Sequence, residues 1–225
     1  MNIEPIAHIR TDFPEKFGLP RQSGLGSLIR GRVVLDKPFN TMDALRGIGQ
    51  FSHLWLIWEF SCVADRAHFE PLVRPPRLGG NERVGVFASR SPFRPNRLGL
   101  SLVRLMDVMD KETGPELLVS GIDMVDGTPI YDIKPYLPYC EAPADARGGY
   151  ADSHGEDRLQ VIFPEELAGR IAPDRLDALR QALSLDPRPS YQDDPDRVYG
   201  FLFDGANVRF TVREGVLRVF SIERP

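Results

Sequence analysis

The sequence predicts a mainly β fold with an α+β appendage: a small N-terminal β-barrel followed by a C-terminal helix packed on a β-meander. Three observations carry this. Six or so short strand-like runs lie before residue 134, separated by turn residues. Beyond a small polar stretch after Pro143 come an amphipathic helical segment and a cleanly alternating tail. No G-x-G-x-x-G follows an early strand, and "SGLGS" at 23–27 lacks phosphate-loop spacing, which argues against a Rossmann cofactor site.

In chain order, Ile3 to Arg10 alternates weakly and is expected as a strand. The loop "TDFPEKFGLPRQSGLGS" that follows is long enough to be functional. "LIRGRVVL" resumes strand character, and "NTMDALRGIG" is expected as a short helix capped by Asn40 or Thr41. "FSHLWLIWEF", aromatic and branched, fits a strand buried on both faces or a barrel wall. "VGVFAS", "GLSLVRLMDV" and "ELLVSGIDMV" give three more strand-like runs. In "TPIYDIKPYLP" three prolines argue against a central strand and for an ordered extended segment.

The polar stretch "ADARGGYADSHGED" is taken as a boundary, giving domains 1–143 and 144–225. In "DRLDALRQALS", Leu176, Leu179 and Leu183 share one helical face, with Pro173 suited to the first turn. Asp204-Gly205 and Glu214-Gly215 are hairpin turns around "NVRFTVR", whose Val208, Phe210 and Val212 face one way.

Cys62 and Cys140 are far apart, without zinc or disulfide spacing, so free thiols in a reducing compartment are expected. The start "MNIEPIAHIR" has no signal-peptide pattern and no window reaches a membrane span, so a soluble cytoplasmic protein with no membrane partner is expected. Net charge is −4, yet Arg74, Arg77, Arg83, Arg90, Arg94 and Arg97 face a single acid, Glu82, between them. That local excess fits a polyanion site on an acidic body, although a solvated arginine-rich loop has the same charge.

The histidines, at 8, 53, 68 and 154, stand singly, so no metal centre is expected. There is no G-x-S-x-G elbow, and Ser91 and Ser101 have no base in the local sequence. Polar residues at strand ends remain: Arg21, Gln22, Arg90, Arg94, Asn96, Asp123, Asp126, Tyr131, Asp132, Lys134 and Tyr136. In "DMVDGTPIYDIKPYLPY" acids that can accept from ribose hydroxyls or an amine alternate with tyrosines that can stack on a base.

With "PRLGGNERVGVFASRSPFRPNRLGLSLV", "VDGTPIYDIKPYLP" and "PRQSGLG", the chain resembles the TsaA-like family of tRNA N6-threonylcarbamoyladenosine methyltransferases. The similarity runs from about Ile6 to Glu141, and "DPRPSY" with "YGFLFDGANVRFTV" resembles the C-terminal domain of longer bacterial members. The resemblance implies a non-Rossmann β-barrel enzyme that uses S-adenosyl-L-methionine, acts as a homodimer and methylates N6 of threonylcarbamoyladenosine at tRNA position 37, chiefly in a threonine tRNA. Carried over by position, its cofactor contacts fall on Pro20, Arg21, Gln22, Ser61, Cys62, Arg90, Leu100, Asp123, Met124, Val125 and Asp126. Its contacts to the modified base fall on the Arg94 to Asn96 turn and on Tyr131, Asp132, Lys134 and Tyr136. The chain departs from the family at Ser61, where many relatives have His, and at Arg97, where relatives show Pro.

Methyl transfer from a sulfonium needs no acid for the leaving group, so alignment is the protein's main task. A urea-like N6 carries an acidic proton; Asp126 or Asp132, beside Tyr131, is the expected acceptor or orienting group. Arg90 and Arg94 suit carboxylates, one on the cofactor and one on the threonylcarbamoyl group. Two other readings stay open: a non-catalytic tRNA-binding or S-adenosylmethionine-sensing module, and a hydrolase, which the missing nucleophile and metal motifs disfavour.

Overall fold

A computed structural model of the 225-residue chain describes residues 2–64, 68–75, 82–152, 158–188 and 194–224. Arg77 and His154 lie outside the described residues. The N-terminal strands are β1 (Ala7–Thr11), β2 (Arg30–Leu35), β3 (His53–Glu59), β4 (Leu72–Val73), β5 (Val84–Gly85), β6 (Leu98–Met109), β7 (Glu116–Ser120) and β8 (Pro129–Pro135). Six of them close into an antiparallel barrel in the order β1-β2-β7-β6-β3-β8. Closure removes the sheet edges and leaves the strand ends as a rim on which loops converge.

Alternation along β3 settles its two-sided reading in favour of a barrel wall. Leu54, Leu56 and Trp58 point inward and are buried, whereas His53, Trp55, Ile57 and Glu59 alternate outward. β8 continues that wall, pairing with both β1 and β3, which corrects the expectation that its prolines keep it out of a sheet. Pro129 and Pro135 occupy its two ends, so residues 130–134 keep their N–H groups for the ladder.

Other expectations shift locally. "VGVFAS" supplies only the two-residue β5, paired with β4 outside the barrel, before a 3₁₀ turn at Val86–Ala88 in which Ser89 Oγ donates to the Val86 carbonyl. The hydroxyl competes for a backbone acceptor a ladder would need. "NTMDALRGIG" forms two short 3₁₀ turns rather than one helix. Thr41 caps the first, and Gly47, at φ 86°, separates them. β7 stops at Ser120 because Gly121, at φ 80°, turns the chain across the rim.

After β8 come two one-turn helices, α1 (Pro138–Glu141) and α2 (Glu165–Ala168), and the longer α3 (Pro173–Ser184). β9 (Gln160–Ile162), β10 (Tyr199–Phe203), β11 (Ala206–Arg213) and β12 (Val216–Glu223) form a second sheet, ordered β10-β11-β12-β9. The three-strand meander is as expected; β9, parallel to β12, is a fourth strand too short to show alternation. Pro173 opens α3, and Leu179 and Leu183 are fully buried against the sheet.

The first half of the long loop joins the two parts. Phe13 stacks on Phe201 at 6.3 Å and meets Phe203 edge-on at 5.2 Å, all three fully buried. Gly18, at φ 90°, lies directly beneath Phe201, where a Cβ would come within 2.4 Å of the ring. Polar ties surround this plug. Arg175 bridges Asp12 and Asp204, Arg224 also bonds Asp204, and Leu202 N–H donates to Glu15.

Candidate active site

At the rim where β3 ends and β6 begins, a cavity of about 670 Å³ opens among Arg21, Gln22, Trp58, Arg90, Leu100 and Asp123. That is room for a nucleoside-sized ligand. The second half of the long loop forms one wall, the arginine-rich loop another, and the crossing after β7 the floor. Seven of the residues expected from sequence meet here: Arg21, Gln22, Arg90, Arg94, Asn96, Leu100 and Asp123.

Each wall is braced. Arg90 donates to Gln22 Oε1 at 2.7 Å, linking the two loops across the opening. Arg94 donates to the Ser89 carbonyl at 3.2 Å, which folds the arginine loop on itself. Ser89 and Ser91 hydroxyls accept from the backbone N–H groups of Ser91 and Phe93, so two local serine turns replace regular structure there. Arg21 donates to the carbonyls of Asp186 and Arg188, at 3.1 and 2.7 Å, just past α3.

The floor holds a buried polar chain. Trp58 Nε1–H donates to Ser101 Oγ at 2.8 Å, and Ser101 Oγ–H donates to Asp123 Oδ1 at 2.5 Å. Ser101 is fully buried inside the barrel. Desolvation pushes the Asp123 carboxyl up to about 6, against the Ser101 hydroxyl, the Ser23 N–H and the Arg90 charge, which all favour the carboxylate. Gly99 lets the Trp58 indole lie flat against β6; a Cβ there would stand 2.3 Å from the ring.

The remaining expected residues lie elsewhere in this chain. Asp126 turns away from the cavity, accepting from Thr11 N–H at 2.9 Å and facing Arg10. Met124 and Val125 are buried core side chains, and Pro20 is buried in its loop. Ser61 and Cys62 sit exposed in the turn after β3, where Lys16 Nζ donates to the Cys62 carbonyl. On β8, Asp132 and Lys134 stand opposite Ile57 and Trp55 on the outer face of the barrel and pair with each other at 3.2 Å. Tyr136 meets Trp55 edge-on at 5.9 Å on the same face.

Tyr131 donates to Glu59 Oε2 at 2.7 Å, a bond that raises the phenol's pKa. Glu59 also pairs with Arg97, whose guanidinium donates to the Val63 carbonyl at 2.6 Å. Arg97 therefore ties the turn after β3 to the strand ends.

Sequence reasoning missed Trp58 and Gly99 and the contact from beyond α3, and it weighed Ser101 only as a nucleophile without a base. A glycine inside a strong strand run was the one local signal, because it marks close approach by a neighbour. Pairing Ser101 with Asp123 needs the barrel's register. Among the described residues no cluster of three or more His, Cys, Asp or Glu is placed to hold a metal ion, and no helix is long and apolar enough to cross a membrane.

The model of the tRNA-methyltransferase O N-terminal domain matches residues 8–142, and that of the TrmO C-terminal domain matches residues 156–225. The chain belongs to the TrmO family. It is 40% identical to the tRNA (adenine(37)-N6)-methyltransferase of Escherichia coli, over 98% of this chain and 97% of that protein. A putative S-adenosylmethionine-dependent methyltransferase of Pseudomonas aeruginosa is 44% identical over 98% and 97%. The crystal structure of TrmO from Pseudomonas aeruginosa superposes with a TM-score of 0.78 at 35% identity, covering 99% of this chain and 98% of that one. Like its TrmO relatives, the chain is a methyltransferase built on a barrel.

The cavity fits S-adenosylmethionine. Trp58, Phe60 and Phe87 offer aromatic faces for the adenine, Arg21 and Arg90 offer guanidinium groups for the carboxylate, and Asp123 offers an acceptor for an amine or hydroxyl.

Proposed function

We propose that this chain transfers a methyl group from S-adenosylmethionine to N6 of adenosine 37 in tRNA, and that the adenosine it accepts carries the threonylcarbamoyl group. The observation that carries the reading is the single cavity in which Arg21, Gln22, Arg90, Leu100 and Asp123 converge with Arg94 and Asn96. The first five suit the donor, and the last two suit the acceptor's carboxylate and carbamoyl oxygens. S-adenosylmethionine supplies an electrophilic methyl on a positively charged sulfur. The protein's residues supply position: Gln22 and Arg90 hold one another across the opening, and the floor fixes where the acceptor nitrogen can stop.

A homodimer belongs to the same reading. Leu100, 54% exposed at the cavity rim, continues outward into the face carrying Trp55, Ile57, Tyr131, Asp132, Lys134 and Tyr136. A second copy seated on that face would bring those residues beside a neighbouring cavity. The division into a catalytic part, 1–143, and a smaller part, 144–225, and a place in the cytoplasm, where tRNA is modified, complete the proposal.

The test is transfer from methyl-labelled cofactor to tRNA bearing or lacking the threonylcarbamoyl group. Label entering only the modified tRNA supports the reading. Label entering both removes the substrate restriction, and binding without transfer makes the chain a non-catalytic module.

A further inference from the structure

Methylating the acceptor nitrogen releases a proton, and this chain's own share of the cavity lining contains one carboxylate to receive it. Among the described residues lining the cavity, Asp123 is the sole acid; the other charged groups are Arg21, Arg90 and Arg94. Asp126, Asp132 and Tyr131, the candidates that sequence suggested, lie outside it in this chain. Asp123 is also held in a defined orientation. Oδ1 accepts from Ser101 at 2.5 Å, and Ser101 is itself fixed by Trp58 at 2.8 Å.

This arrangement cannot serve as a nucleophilic serine. The Ser101 hydroxyl spends its proton on Asp123 and accepts from the indole, it is fully buried, and no histidine lines the cavity. What it does is aim a carboxylate. Oδ1 is engaged by the hydroxyl, and a carboxylate retains lone pairs with which to accept from a ligand.

We propose that Asp123 is the base that takes the N6 proton during methyl transfer, and that Ser101, locked by Trp58, is the positioning residue that orients it. The proposal rests on the methyltransferase reading of the cavity. The new bond joins the methyl carbon to N6, and the carbon–sulfur bond breaks with its electron pair going to sulfur, which becomes a neutral thioether. The N6 proton passes to the Asp123 carboxylate, leaving a neutral nitrogen and a carboxylic acid that water then deprotonates. No other co-reactant is needed.

The environment suits the task. A carboxyl pushed up to about 6 by desolvation is ionised near neutrality yet is a stronger base than a solvated one. The groups facing it are Ser101 from β6, the Ser23 N–H from the long loop, its own backbone N–H and Arg90 from the arginine loop, and all four favour its charged form.

Asp123→Asn tests the assignment in single turnover with saturating cofactor and threonylcarbamoylated tRNA, alongside calorimetric titration of S-adenosylhomocysteine. The expected result is a loss of roughly 100-fold or more in transfer at saturating cofactor, the usual reach of general base catalysis, well beyond any accompanying loss of S-adenosylhomocysteine affinity. Transfer within about threefold of wild type overturns the proposal. So does a loss of transfer fully matched by a loss of binding, which makes Asp123 a cofactor contact only. Wild-type protein that transfers nothing rejects the methyltransferase reading itself, a separate failure.

Ser101→Ala supplies a second arm that does not depend on turnover. Losing the hydroxyl removes a group that favours the carboxylate, so carbon-13 NMR of Asp123 in the cofactor-free protein should show its titration midpoint rise above the wild-type value. The acid limb of the transfer rate should move up by the same amount. An unchanged midpoint, or a rate limb that does not follow it, overturns the role given to Ser101.

Discussion

The indole of Trp58 rests on the bare Cα of Gly99, so closely that a Cβ would stand 2.3 Å from the ring. The contact sets the indole nitrogen at hydrogen-bond distance from Ser101, and through Ser101 it sets the cavity floor. Gly99→Ala should therefore cost about 1–3 kcal/mol, the usual penalty of overpacking, and should also slow methyl transfer by displacing the indole. Thermal unfolding and intrinsic tryptophan fluorescence check the first effect, and single-turnover transfer the second. A variant as stable and active as wild type would show that the indole does not need its place.

The long loop that walls the cavity is held from outside the barrel. Besides Arg21, Leu28 N–H donates to Gln181 at 2.7 Å, Gln181 donates to Ser27 at 3.3 Å, and Arg158 donates to the Leu25 carbonyl at 3.3 Å. Gln181→Ala should raise the cofactor KM by about 2- to 10-fold, the equivalent of about 0.5–1.5 kcal/mol for a lost hydrogen bond, while kcat changes little. Steady-state kinetics with varied cofactor decides this; an unchanged KM means the C-terminal part does not set the loop.

Asp123 makes stability depend on pH in a stated direction. Its folded-state pKa, about 6, lies above the ordinary aspartate value of 3.8, so between the two the folded chain keeps a proton that the unfolded chain has released. The resulting stabilisation is full below about pH 3.8 and is lost as pH rises through 6. Asp123→Asn keeps an oxygen to accept from Ser101 and carries no charge. It should be more stable than wild type at pH 8, with the difference shrinking toward pH 4. Denaturant melts at both pH values measure it, and a difference that grows toward pH 4 contradicts the assigned direction.

Phe13 is the side chain that most directly joins barrel to second sheet, wedged between Phe201 and Phe203. Phe13→Ala should cost about 3–5 kcal/mol, the range for a large aromatic removed from a core. If the core is continuous, the whole protein should still unfold in one transition at a lower temperature. Two resolved transitions in calorimetry would mean that the parts come apart independently.

Beside the cavity, Arg74 and Arg83 flank the β4–β5 ribbon and have no hydrogen-bond or ion-pair partner among the described residues. Phe69 and Phe87 stack nearby at 6.3 Å and are 58% and 72% exposed. Free guanidinium groups there suit backbone phosphates flanking the modified base. Arg74→Ala and Arg83→Ala should each weaken tRNA binding and lower the salt dependence of the affinity by about one unit of slope. Cofactor affinity should hold. An unaltered salt slope places the RNA backbone elsewhere.

The barrel was legible because local pattern and global fold agree: the strand-like runs are apolar, and Gly-containing turns separate β6 from β7 and β7 from β8. β8 was misjudged because proline placement matters more than proline number; Pro129 and Pro135 fall at strand ends, where no ladder N–H is missed. "VGVFAS" failed for the opposite reason. Its hydrophobic run is strand-like, but Ser89 and Ser91 satisfy the backbone locally. At the candidate site, the arginine loop and the long loop stood out through unusual composition. Ser101 did not, since its partner Asp123 is 22 residues away and is brought opposite only by barrel closure.

A crystal structure with S-adenosylhomocysteine tests the central claim most directly, that the rim cavity is where donor meets acceptor. The account predicts the adenosyl group within the walls formed by Arg21, Gln22, Arg90 and Leu100, with the sulfur facing the Asp123 side of the floor. Ligand seated instead on the outer face of β8, beside Asp132 and Lys134, with this cavity filled only by water, would contradict it.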